Sequence, residues 1–117
     1  MARVIRALIY NGPFNLQISG SVAFTCPANK KWIISKLTTR IVDPGTSVNF
    51  AVSIYDEDGF EIFRIFDKGS VPAQTSAEDI KEARGQILRS GQSIRLLGEN
   101  GPGADAEAAL DVEEVDE

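Results

Sequence analysis

At 117 residues the chain has room for one domain around one core, and 43% hydrophobic with 25% charged residues is the make-up of an ordinary globular protein. No apolar run nears the ~20 residues of a membrane-spanning helix. The first six residues lack the layout of a signal peptide. Cys26, the sole cysteine, cannot form an internal disulfide, so synthesis in a reducing cytoplasm is expected. The charge is uneven: residues 104–117 hold seven acids and no base, which leaves the first 103 residues with twelve bases and ten acids. Phosphates would repel such an end, so nucleic acid is not an expected partner. The acidic segment reads as a solubilising end, or as one that docks on a basic neighbour.

In chain order, the N-terminal stretch comes first. Val4, Ile5, Ala7, Leu8, Ile9 and Tyr10 are apolar without a period of two. Such a segment is either a central strand covered on both faces or an arm for a neighbouring subunit, and Val4, Ile5, Leu8, Ile9 and Tyr10 are the expected partner-binding residues within residues 1–11. Phe14, Leu16 and Ile18 then alternate with polar residues, and Val22 and Phe24 continue the pattern. Pro27 to Lys30 is a turn. Trp32 to Val42 is rich in β-branched residues and closes at Asp43-Pro44-Gly45. Val48, Phe50, Val52 and Ile54 alternate cleanly. Asp56-Glu57-Asp58-Gly59 predicts a hairpin turn with Gly59 at positive φ, and Phe60 to Phe66 returns as the partner strand.

Gly69, Ser70 and Pro72 open a long connection. Ser76 as N-cap, with acids behind it, predicts a short helix near 76–83. Gln86 to Leu88 and Ser93 to Leu97 are β-like runs split by a turn at Arg89–Gln92. After the loop 98–103, Ala108, Leu110 and Val112 predict a last strand with its acids facing water. Seven or eight strands joined by short turns imply a single all-β domain, an antiparallel β-sandwich of jelly-roll or Greek-key type. The long connection between Phe66 and Ile87 suits a crossover between sheets.

Chemistry-bearing patterns are few. The chain has no histidine, which removes the commonest general base and metal ligand. One cysteine supplies no zinc or iron–sulfur ligand set. No catalytic, cofactor-binding or metal residue is therefore assigned, and a carboxylate-based hydrolase is disfavoured. Asp56 to Gly59 resembles part of a calcium loop, but it lacks the remaining oxygen ligands. Cys26 reads as a small buried hydrophobe. Trp32 reads as a cap on the core, beside Lys30 and Lys31 in an exposed turn. Arg89 and Arg95 read as solvated.

Two stretches carry a resemblance. Cys26-Pro27-Ala28-Asn29-Lys30-Lys31-Trp32-Ile33-Ile34 resembles a segment of small bacteriophage virion proteins in which a proline turn leads into a strand opened by an aromatic. Ile87-Leu88-Arg89-Ser90-Gly91-Gln92-Ser93-Ile94-Arg95-Leu96 is similar to their glycine-turn element. The resemblance spans roughly Phe14 to Val112; the insert Ser76–Ala83 and the acidic end depart from it. It implies a viral structural protein of the β-sandwich type, made in the host bacterial cytoplasm and resident in the virion. A capsid decoration or cement role is implied first. Its partners would be other virion proteins, the major capsid or a tail protein, and further copies of itself, a trimer rather than a dimer. The alternative is a carbohydrate- or receptor-binding module of a tail or fibre, which would need exposed aromatic platforms. Trp32, Tyr10, Tyr55 and the six phenylalanines fall mostly on apolar-facing positions.

Overall fold

Alternation of apolar and polar residues turns one side of each long strand toward a common interior, and two sheets face each other across it. The computed structural model describes residues 3–10, 22–43, 48–72, 74–99 and 105–117. The expected strand at Phe14–Ser19 and the turns at Pro44–Gly45 and Asn100–Gly103 lie outside the described residues.

The strands are β1 (Arg3–Tyr10), β2 (Val22–Thr25), β3 (Lys30–Asp43), β4 (Val48–Tyr55), β5 (Glu61–Val71), β6 (Glu78–Asp79), β7 (Ile87–Leu88), β8 (Ser93–Glu99) and β9 (Asp105–Asp116). Nine strands among the described residues exceed the seven or eight expected, because β6 and β7 are two-residue pieces. One sheet has the order β1-β9-β3-β6, with β7 also on β3; the other has the order β2-β8-β4-β5. Every pairing is antiparallel. The chain passes repeatedly from one sheet to the other, as a β-sandwich allows. The long connection crosses sheets as expected, from β5 to β6.

The core forms where the inner rows meet. On β3, Trp32, Ile34, Leu37, Thr39 and Ile41 are buried. The spacing from Ile34 to Leu37 is three rather than two, and a register shift between Ile34 and Lys36 absorbs the extra residue. Without that bulge the rest of β3 would turn its apolar set outward. The β9 row opposite is Ala106, Ala108, Leu110 and Val112, all buried. From the second sheet Phe24, Phe50, Val52, Ile54, Ile94 and Leu96 close the core. Leu110 and Leu37 stand directly opposite one another with no exposed surface. Burying one such leucine contributes about 1.5–3 kcal/mol.

The predicted helix at 76–83 is corrected. Glu78 and Asp79 form β6, paired with Thr39 and Thr38, and only Lys81–Ala83 is helical, as a 3-10 turn. Ile80 explains this. Its N–H donates to the Leu37 carbonyl (2.8 Å) and its side chain is buried, which a helix starting at Ser76 would not allow. Tertiary burial overrides the capping signal.

The last strand expected through Ala108, Leu110 and Val112 is β9, which lies between β1 and β3; the expectation that its acids all face water is corrected. Glu107 and Asp111 are half-buried, and Glu114 is buried in the inner row.

Candidate interaction surface

Three turns and the end of β9 share one end of the sandwich. The first is Pro27–Lys30, where the Lys30 N–H donates to the Pro27 carbonyl (3.3 Å) and Asn29 takes φ 64°. The second is Asp56–Phe60. Its Asp56 carboxylate accepts the N–H groups of Asp58 and Phe60, both at 2.9 Å, and Gly59 has φ 86°. The hairpin expectation holds there, and the carboxylate oxygen a calcium ion would use is already engaged by the backbone. The third turn is Arg89–Gln92, with Gly91 at φ 81°. A Cβ on Gly91 would stand 2.9 Å from the Glu57 Cβ, which places the second and third turns in contact.

The two stretches that carry the virion-protein resemblance meet at this end. Cys26 N–H donates to the Gln92 carbonyl (2.8 Å), and Gly91 N–H donates back to the Cys26 carbonyl (3.0 Å). The Ser90 hydroxyl accepts from the Asn29 N–H (2.7 Å). Trp32 stands opposite Leu88 in register. The end of β9 latches onto both: Lys30 pairs with Asp116, Arg89 Nη1 lies 3.0 Å from Glu117, and the Glu117 N–H donates to the Asn29 carbonyl. Trp32 is 2% exposed, as a core cap should be, and its indole N–H donates to Glu114 Oε1 at 2.9 Å. Cys26 is buried as expected. Burial pushes its thiol up to about 11, and the nearby charges of Glu117 and Glu114 add to this against a lowering bond from the Trp32 backbone. At neutral pH it is a protonated thiol with no nucleophilic character.

This end exposes an apolar set among its charged residues. Phe60 is 70% exposed, Ile62 48% and Phe63 45%, just where β5 leaves the second turn. Phe60 and Phe63 are exceptions to the expectation that the aromatic residues fall mostly on apolar-facing positions, which Phe24, Trp32 and Phe50 meet. Phe50 and Phe66 do pack together, edge to face at 6.0 Å, but Phe60 and Phe63 do not join the core. A sequence signal existed: 60, 62 and 63 break the period of two just after the turn. The strand explains the break, since β5 pairs with β4 through three register shifts.

Elsewhere among the described residues several polar side chains pair with one another. Arg95 is not simply solvated; it lies 4.3 Å from the centre of the Tyr55 ring. Ser53 donates to Glu61, and Arg64 bridges Glu61 and Asp67. A shallow groove of about 170 Å³ runs along Thr38, Arg40, Ala77, Glu107 and Ala109, closed by the Arg40–Glu107 ion pair. Among the described residues no group of three or more His, Cys, Asp or Glu is placed to hold a metal ion. The predicted partner-binding residues Val4, Ile5, Leu8, Ile9 and Tyr10 all fall on β1, which pairs with β9 of the same chain.

No family model matches the sequence, and no curated protein matches it. Solved structures do. The chain is similar to a structure of infectious bursal disease virus, Gx strain, with a TM-score of 0.43 and 12% identity over 95% of this chain and 32% of that one. It is similar to T=1 particles derived from infectious bursal virus, with a TM-score of 0.44 and 10% identity over 96% of this chain and 30% of that one. A VP2 subviral particle of infectious bursal disease virus gives a TM-score of 0.38 and 9% identity, over 96% and 32%. The chain thus spans about a third of the length of the structures it matches.

Proposed function

We propose that this protein is a non-enzymatic structural subunit of a bacteriophage particle, a capsid decoration or cement protein that binds the virion lattice and associates with further copies of itself. The observation that carries the reading is the exposed set Phe60, Ile62 and Phe63, mounted on the end where the two virion-like stretches meet. Large apolar side chains held out on a rigid frame cost solubility unless a partner covers them. The frame is rigid by construction, because three turns and a strand end are cross-bonded there. Jelly-roll sandwiches serve as coat and lectin domains, so the fold accommodates the role without specifying it. At this end Lys30 pairs with Asp116 and Arg89 with Glu117, which adds to the rigidity of the frame.

The test is mass spectrometry of purified particles of the encoding phage. Coating a symmetric lattice requires on the order of hundreds of copies per particle. About a dozen or fewer would assign a connector or fibre part, and absence from the particle would overturn the reading. Replacing Phe60 and Ile62 with serine should abolish binding to undecorated shells while the fold persists.

A second reading, a carbohydrate- or receptor-binding module, is favoured by one observation: Phe60 is an exposed aromatic ring of the kind sugars stack on. Glycan binding lost on Phe60→Ala would support it over lattice binding.

A further inference from the structure

We propose that the groove on the outer face of the first sheet binds one ring of a neutral sugar, held by the Arg40–Glu107 pair. The groove lies toward the other end of β3 from Trp32, so the site is separate from the apolar end and does not depend on the particle role.

The dent follows from the sequence. On β3 the buried residues Leu37, Thr39 and Ile41 face the core, so Lys36, Thr38 and Arg40 face out. Register sets Asp111, Ala109 and Glu107 of β9 directly opposite these three, on the same face. A small pair, Thr38 with Ala109, therefore sits between two lines of long charged residues. Ala77, just before β6, lines the side away from β9. The loop that carries Ala77 is pinned. The Gln74 N–H donates to the Ile41 carbonyl (2.8 Å), the Gln74 side-chain oxygen accepts the Ile41 N–H (2.9 Å), and the Gln74 side-chain nitrogen donates to Glu78 (2.9 Å). The groove thus exists before a ligand arrives, which spares the cost of ordering its walls.

Size and chemistry select the ligand. At about 170 Å³ the groove falls below the ~300–1,000 Å³ of a drug-sized ligand pocket and near the ~150 Å³ that holds one six-membered ring. Among the described residues its charged lining is Arg40 and Glu107, and they pair with each other. A wall neutralised in this way gives a small anion or cation no net attraction. Both side chains still expose about a third of their surface. Arg40 also reaches the Gln74 carbonyl at 3.5 Å, and its guanidinium has further N–H groups, while the Glu107 carboxylate has lone pairs on both oxygens. The pair therefore sets donors beside acceptors on one wall. Two neighbouring ring hydroxyls match that wall, one accepting from Arg40 and one donating to Glu107, both as charge-assisted bonds. Ala77 and Ala109 offer methyl groups to the C–H groups of the ring. An apolar ring of the same size would leave the ion pair unmatched. Repeated over many copies on one surface, such weak contacts add by avidity.

The experiment titrates the full, isotope-labelled chain with methyl glucoside, methyl galactoside and methyl mannoside and follows the backbone amides by NMR. At least one should shift the amides of Thr38, Arg40, Ala77 and Ala109 saturably, with a dissociation constant on the order of millimolar, the range open to so small a ligand. Glu107→Gln removes the charge-assisted acceptor and should weaken binding about tenfold. Ala109→Leu fills the dent and should abolish binding; both changes lie on the outer row, and an otherwise unchanged spectrum shows the core intact. The same sugar bound equally well at the end of an oligosaccharide marks a terminal glycan residue as the source, and binding of the methyl glycoside alone marks a monosaccharide; either upholds the site. No saturable shift with any of the three sugars overturns the proposal, as does binding indifferent to both substitutions. Shifts confined to Asp56–Phe63 would move sugar binding to the exposed Phe60 ring and overturn the groove. Tighter binding of inorganic phosphate at the same amides would make the groove an anion site and overturn the choice of ligand.

Discussion

The Trp32–Glu114 pair carries a prediction that tests the inner architecture directly. Glu114 is 5% exposed and stands opposite Trp32 in the β3–β9 register, an acid placed in a row otherwise filled by apolar residues. A buried carboxylate is tolerated when its oxygens are satisfied, and the indole N–H at 2.9 Å satisfies one. A hydrogen bond to a charged group contributes about 1.5–3 kcal/mol, and orphaning its partner exposes the desolvation cost. Glu114→Ala should therefore destabilise by about 2 kcal/mol. For a chain of this length, with an unfolding entropy near 2.1 cal/mol/K per residue, that lowers Tm by about 8 °C. Trp32→Phe should cost at least as much, since it removes the indole donor to the carboxylate and shrinks a packed ring. The decisive arm is the double variant Trp32→Phe with Glu114→Leu, which removes both polar partners and should cost well under the sum of the single changes. Calorimetry or circular dichroism melts give the cycle, and Trp32, the sole tryptophan, reports burial by blue-shifted emission in the unmodified chain. A coupling energy below ~0.5 kcal/mol would refute the pairing.

Other outcomes follow from the same end of the molecule. Gly91→Ala should destabilise by more than the ~1 kcal/mol of a simple positive-φ penalty, because the new methyl meets Glu57 at 2.9 Å; denaturant melts measure it. Asp56→Ala removes the acceptor of two backbone N–H groups and should cost about 1 kcal/mol by the same assay. Millimolar calcium should leave Tm unchanged, since that oxygen is occupied; a rise of several degrees would revive the calcium loop. The Cys26 thiol sits at about 11 in the fold against 9.0 for the free group. Its contribution is intact below pH 9 and is lost as pH rises from 9 toward 11, because the unfolded chain ionises first. Stability should fall more steeply across that window in the unmodified chain than in Cys26→Ala.

Much of the sandwich was legible in the sequence because sheets advertise themselves. The alternation at Val48–Ile54 and the turn chemistry at Asp56–Gly59 each mapped onto the expected element. What stayed hidden were features set by distant partners. The span Ser76–Ala83 carries helix-start chemistry, yet Ile80 is claimed by the Leu37 carbonyl and the core. The strand through Ala108, Leu110 and Val112 was legible, but not the countercharges of its acids, which Arg40, Lys30 and Arg89 supply. Charge runs record composition and not neighbours, and these neighbours lie 28 to 86 residues upstream. The exposed Phe63 escaped because strand alternation assigns faces only while a strand stays regular, and β5 does not, while Phe60 lies in the turn before it.

That irregularity divides the labour of the surface. The bulged β5 is ill suited to extend a sheet, so under the proposed function Phe60, Ile62 and Phe63 serve as side-chain anchors for the particle, and self-association needs a separate contact. A lattice-coating subunit needs both kinds of contact, one to the particle and one to its own kind. The two can be separated by substitution. Phe60→Ser with Ile62→Ser should release the protein from particles without changing its mass in solution. Ile5→Lys with Ile9→Lys, at positions expected from the sequence to bind a partner, should lower its mass in solution and weaken particle binding only through lost avidity, a drop that linking two copies by a flexible tether should reverse. Loss of both properties from either set alone would mean that one surface serves both contacts, and the division between them would fail.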